Sequence, residues 1–115
     1  MCNKSCRLVS FVLLLIAASI SSAATINWST SPADSNWNNT ANWDGGVIPN
    51  TTADYAKILM AAGPVFSSDR TATAYRVYLD GTNGSMTMDG GSLTVNNWLG
   101  IGYTAASDSG TLTVN

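Results

Sequence analysis

Histidine and glutamate are absent from the 115 residues, and the two cysteines, Cys2 and Cys6, both stand near the start. All seven carboxylates are aspartates: Asp34, Asp44, Asp54, Asp69, Asp80, Asp89 and Asp108. Beyond residue 23 there is therefore no thiol nucleophile, no histidine-based triad and no Cys/His zinc set. Disulfides are excluded there too, although small secreted folds commonly use them. Charge is sparse, at 10% of the residues. Past residue 23 only Lys57, Arg70 and Arg76 stand against the seven aspartates, a net of −4. Phosphate neutralisation requires clustered Lys and Arg, so nucleic acid is excluded as a partner.

Long apolar runs are lacking except at the N-terminus. There Lys4 and Arg7 precede Leu8–Ile20 (LVSFVLLLIAASI), which falls short of the about 20 residues of a spanning helix. Small residues follow, with Ser21 and Ala23, or Ser22 and Ala24, at the −3 and −1 places of a cleavage site. This is the three-part pattern of a secretory signal peptide over 1–23. Both cysteines precede the apolar run, which argues against a lipoprotein signal, whose modified cysteine follows it. The protein is expected to be secreted or held at the cell surface.

What is abundant is Thr, Ser, Asn, Gly and Val, a composition suited to short strands and tight turns. Residues 24–63 form a Trp- and Asn-rich segment with turn signals at Asp44-Gly45-Gly46 and Pro49-Asn50. Within it, alternation predicts a strand with Ala56, Ile58 and Met60 on one face, with a short helix as the alternative. Further on, Tyr75, Val77 and Leu79 alternate with Arg76 and Tyr78. Residues 64–115 carry the clearest internal signal. Gly84-Ser85-Met86-Thr87-Met88-Asp89 matches Gly110-Thr111-Leu112-Thr113-Val114-Asn115 at an offset of 26, and Gly91-Ser92-Leu93-Thr94-Val95-Asn96 repeats the phrase between them. Leu99 and Ile101 add a further short apolar stretch. One period thus reads as three short strands, with glycine pairs at the corners.

That is how the coil of a right-handed parallel β-helix, or β-solenoid, is written, since solenoid repeats run to about 20–50 residues. A β-sandwich of similar-looking strands is the alternative. The chain stops at Asn115 in mid-phrase, which reads as a C-terminal truncation of the repeats.

The stretch Trp28…Asn36-Trp37…Asn42-Trp43-Asp44-Gly45-Gly46…Ile48-Pro49-Asn50…Asp54-Tyr55-Ala56-Lys57-Ile58, followed by GGSLTV, LGIG and SGTLTVN, resembles large bacterial surface proteins. These carry autotransporter-associated β-strand repeats or PEP-CTERM-type sorting signals. The resemblance implies a secreted or surface-displayed β-helix, adhesin-like, whose sorting part lies further on; it carries over no catalytic residue.

Trp28, Trp37 and Trp43 are the candidate site residues. Exposed indoles beside amide side chains suit stacking on sugar rings; buried, the same three would plug the N-terminal end of a solenoid. The Asp-Gly turns at Asp44, Asp80 and Asp89 raise calcium, but calcium takes 6–8 oxygen ligands and no EF-hand or nonapeptide spacing is present. A glycosidase needs two facing carboxylates about 5–10 Å apart, and no spacing here pairs them. For a lyase-like site only Arg70 beside Asp69, or Arg76, is at hand. The reading is a non-catalytic extracellular structural or adhesive protein with no cofactor and no metal. The alternative is a carbohydrate-binding or polysaccharide-degrading protein acting on extracellular polysaccharide through the Trp-rich segment. Membrane contact is expected only through the signal or a missing C-terminal anchor.

Overall fold

The computed structural model describes residues 22–49 and 51–115. The expected signal over 1–23 therefore lies, apart from Ser22 and Ala23, outside the described residues. Seven strands follow: β1 (Thr25–Asn27), β2 (Tyr55–Ile58), β3 (Val65–Ser67), β4 (Thr71–Leu79), β5 (Gly84–Asp89), β6 (Ser92–Ile101) and β7 (Gly110–Val114). They form two sheets, of order β1-β2-β4-β6 and β3-β5-β7. Every ladder between these strands is parallel. From β2 onward the chain alternates between sheets, so a strand of one sheet always separates two paired strands of the other. A meander or hairpin-linked sandwich requires antiparallel neighbours, and no such pair joins the seven strands.

Register explains the sequence match. The β5–β7 ladder aligns Gly84 with Gly110 and continues to Met88 with Val114. Glycine thus stacks on glycine, threonine on threonine, hydroxyl on hydroxyl and apolar on apolar at the same 26-residue spacing. The third phrase, Ser92–Asn96, belongs to the other sheet, where its residues Ser92–Val95 pair with Thr71–Ala74 at a step of 21. Three short strands per period is therefore corrected to two. The Leu99–Ile101 stretch is continuous with Ser92–Asn96 in the single ten-residue β6. It stays continuous because the register slips by one residue between Ala74 and Arg76, after which Arg76 pairs with Trp98.

That slip also corrects the face of Tyr75. Ala74, Val77 and Leu79 point inward and are fully buried, whereas Tyr75 is only half-buried. Its ring lies 5.4 Å from the Arg76 guanidinium, on the side expected for Arg76 and Tyr78. Met60 falls beyond the end of β2 and packs against the core from outside the strand.

Ala56, Ile58, Ala74, Val77 and Leu79 of one sheet join Phe66 and Met86 of the other in one apolar cluster. Close stacking requires glycine at Gly84: a Cβ there would lie 2.2 Å from the Ile58 carbonyl oxygen and 2.4 Å from that of Asp80. At the β1–β3 end, residues 28–49 complete the cluster. Asparagine supplies the turns of this segment. Asp34, Asn36 and Asn39 each accept, through Oδ1, the amide of the residue two positions on, the Asx turn that makes these side chains turn formers. Asn42, fully buried, donates to Asp34 Oδ1 at 2.7 Å and to the Asn36 carbonyl at 2.8 Å. The segment is tied to β3 by the Val65 amide on the Ser35 carbonyl and by Arg70, whose Nη1 donates to Ser35 Oγ and the Val65 carbonyl.

Candidate binding face

The three indoles offered as sugar platforms are not on the surface. Trp28, Trp37 and Trp43 are 2%, 1% and 2% exposed. Trp43 lies at the centre, edge-on to Trp28 at 5.0 Å and to Trp37 at 4.7 Å, and Trp37 reaches Phe66 at 5.7 Å. Aromatic side chains bury about 150–250 Å² each, more than any aliphatic neighbour in the cluster offers. The carbohydrate contact assigned to them is therefore corrected: no indole face is open for stacking. Of their asparagine neighbours, Asn36 and Asn39 form Asx turns and Asn42 is the buried anchor.

Exposed aromatics gather elsewhere, on the outer face of the four-stranded sheet. The register places Thr25, Tyr55, Arg76 and Trp98 in one row across β1, β2, β4 and β6, and Asn27, Lys57, Tyr78 and Gly100 in the next. Cations and aromatic rings thus alternate along and between rows. Tyr55 meets Tyr78 at 6.1 Å, Tyr78 meets Trp98 at 6.2 Å, and Trp98 meets Tyr103 at 4.5 Å. Gly100 makes this continuous, since a Cβ there would lie 3.0 Å from the Tyr78 ring. Trp98 is 38% and Tyr103 59% exposed.

Arg76 sits within this stripe, 4.9 Å above the Tyr55 ring, a cation–π distance. Its Nε donates to Asn97 Oδ1 at 2.8 Å and its Nη1 to the Tyr55 hydroxyl. Desolvation pulls its pKa down, but the charge of an ionised Tyr55, the hydrogen bond and charge of Tyr78 and the charge of Tyr75 together outweigh it and leave the net shift upward. Lys57 pairs at 3.8 Å with Asp80, which is wholly buried. Asp80 also accepts the Tyr103 amide and the Thr104 hydroxyl. Thr25, Tyr55, Lys57, Tyr78, Asp80 and Thr104 enclose a hollow of about 240 Å³.

The other charged positions are spent on local structure. Asp69 accepts the Ser67 hydroxyl at 2.8 Å, which, with its own backbone amide, holds its carboxyl below the ordinary value. Asp44 opens a single 3₁₀ turn, and Asp89 ends β5 in solvent. Among the described residues no group of three or more His, Cys, Asp or Glu side chains is placed to hold a metal ion. A second hollow, of about 340 Å³, is lined by Asp34, Ser35, Val65, Ser85 and Thr87 among others and contains no aromatic ring.

Sequence reasoning missed the outer face. Its one legible trace is the alternation that sets Arg76 and Tyr78 apart from Val77 and Leu79. Bringing Tyr55, Tyr78 and Trp98 together requires the 21- and 22-residue steps between strands. No family model, curated protein or solved structure matches the chain.

Proposed function

We propose that the chain is a non-catalytic, exported β-solenoid that acts as a structural or adhesive surface outside the cell. The observation that carries this reading is the alternation of consecutive strands, from β2 onward, between two parallel sheets. Each circuit of a β-helix adds one strand to each sheet, and the steps of 21 to 26 residues suit such circuits. The buried Trp28–Trp37–Trp43 cluster lies where a solenoid needs its N-terminal plug. Export is tested by expressing the whole chain in a bacterial host and fractionating it. Processed protein in the periplasm or medium supports the proposal; unprocessed protein confined to the cytosol overturns it.

A second reading, carbohydrate binding, is favoured by the outer face. Tyr55, Tyr78, Trp98 and Tyr103 offer rings for sugar stacking. Arg76, which has no carboxylate within ion-pair distance among the described residues, suits the carboxylate of an acidic sugar. The ligand on this reading is an acidic polysaccharide laid across the strands. Retention on an immobilised uronic-acid polymer should fall about tenfold or more in Trp98→Ala and in Arg76→Ala. Binding unchanged in both, or equal binding to a neutral glucan, would remove the reading.

A further inference from the structure

Two bonds fit the cleavage pattern, Ala23–Ala24 and Ala24–Thr25, and the signal peptide read over 1–23 takes the first. The folded chain distinguishes their products. The Ala24 nitrogen lies 3.1 Å from Asp54 Oδ1, and Asp54 is only 6% exposed. The Ala24 carbonyl accepts the Tyr55 amide at 2.8 Å, the contact that sets β1 against β2. Tyr55 in turn opens the aromatic row of the outer face.

The structure assigns Ala24 as the mature N-terminus, with its α-ammonium seated on the Asp54 carboxylate. This inference rests on the export reading. Hydrolysis of the Ala23–Ala24 amide adds one water. Ala23 leaves as a carboxylate on the signal fragment, and Ala24 gains an amine that is protonated near neutral pH. A backbone N–H donating to a largely buried carboxylate thereby becomes a charge-assisted bond. Cleavage one residue later would remove both the donor to Asp54 and the carbonyl that holds Tyr55. The peptidase acts on an extended segment, so Asp54 does not direct the cut. It is the partner that the new charge meets once the chain has folded.

Two measurements test this. The first is the intact mass and N-terminal sequence of the exported protein, expected to begin Ala24-Thr25-Ile26. Processing at any other bond overturns the inference while leaving export standing, whereas no processing at all is a failure of the export reading. The second compares urea unfolding of protein beginning at Ala24 with protein retaining Ala23, where the same nitrogen is an uncharged amide. Asp54→Asn should reduce the folding equilibrium constant about tenfold more in the Ala24 form than in the Ala23 form, the ratio equivalent to one pKa unit. If Asp54→Asn prevents folding, the Ala24 and Ala23 forms with Asp54 intact decide the matter. A higher urea midpoint for the Ala24 form is expected, and equal midpoints overturn the inference.

Discussion

Replacing Trp37 and Trp43 separately by phenylalanine should have clearly unequal effects, although the two positions are nearly matched. Both indoles are almost fully buried, and each has two aromatic neighbours within 6 Å. Trp→Phe therefore removes a similar ring area and leaves a similar gap in either case, and those costs largely cancel in the comparison. The indole N–H groups differ. Trp43 Nε1 donates to the buried Trp37 carbonyl at 2.8 Å. Trp37 Nε1 is buried with no acceptor among the described residues. Trp43→Phe strips the carbonyl of that donor, which costs about 1–3 kcal/mol; Trp37→Phe deletes an unsatisfied donor and recovers a similar amount. Trp43→Phe should thus be the more destabilising by about 2 kcal/mol or more. With a urea dependence of about 1.5 kcal/mol/M for a domain of this size, the midpoints should differ by about 1 M. Far-UV circular dichroism is the suitable probe, because tryptophan emission changes with the substitutions themselves. Equal midpoints, or greater damage from Trp37→Phe, would refute the accounting.

Gly84→Ala should destabilise by about 3 kcal/mol or more, because its Cβ would collide with two backbone carbonyls that cannot move independently of the ladder. Gly45→Ala, at φ +77 but with open space around it, should cost only the about 1–2 kcal/mol of left-handed strain; chemical denaturation of the pair separates collision from conformation. The Asn42 side chain foremost, then the Asn36 backbone and the Asn39 side chain, hold the Asp34 carboxyl below 3.8 in the folded protein. A depressed carboxyl stabilises the fold fully above its unfolded value and loses that contribution as pH falls through the folded one. Asp34→Asn should therefore flatten the loss of stability below about pH 3.8 in urea titrations run at stepped pH; an unchanged acid slope would exclude Asp34 as its source.

Much of the local structure was legible in the residues themselves. Alternation put Ala56 with Ile58, and Val77 with Leu79, on common faces, because side chains on a strand point to opposite faces in turn; it failed for Met60, past the end of β2, and for Tyr75, at the register slip. The match of Gly84–Asp89 with Gly110–Asn115 coincided with a real register, since stacking like on like lets the same small and apolar residues fill the same space in successive strands. Asparagine and aspartate two residues before the turns of 34–41 did what their short side chains do anywhere.

Pairing and exposure were decided only by the tertiary structure. Backbone hydrogen bonds do not depend on side-chain identity, so alternation says which side faces inward but not which strand lies alongside. The sequence phrase at Ser92–Asn96 therefore resembled a neighbour of β5 while belonging to the opposite sheet. Tryptophan is large enough to fill a core and amphipathic enough to bind at a surface, and only the packing of Trp28, Trp37 and Trp43 on one another and on Phe66 placed them inside. The Tyr55–Arg76–Trp98 row joins residues 21 and 22 positions apart, a distance set by the lengths of the loops through the other sheet. No local pattern within any one strand contains it.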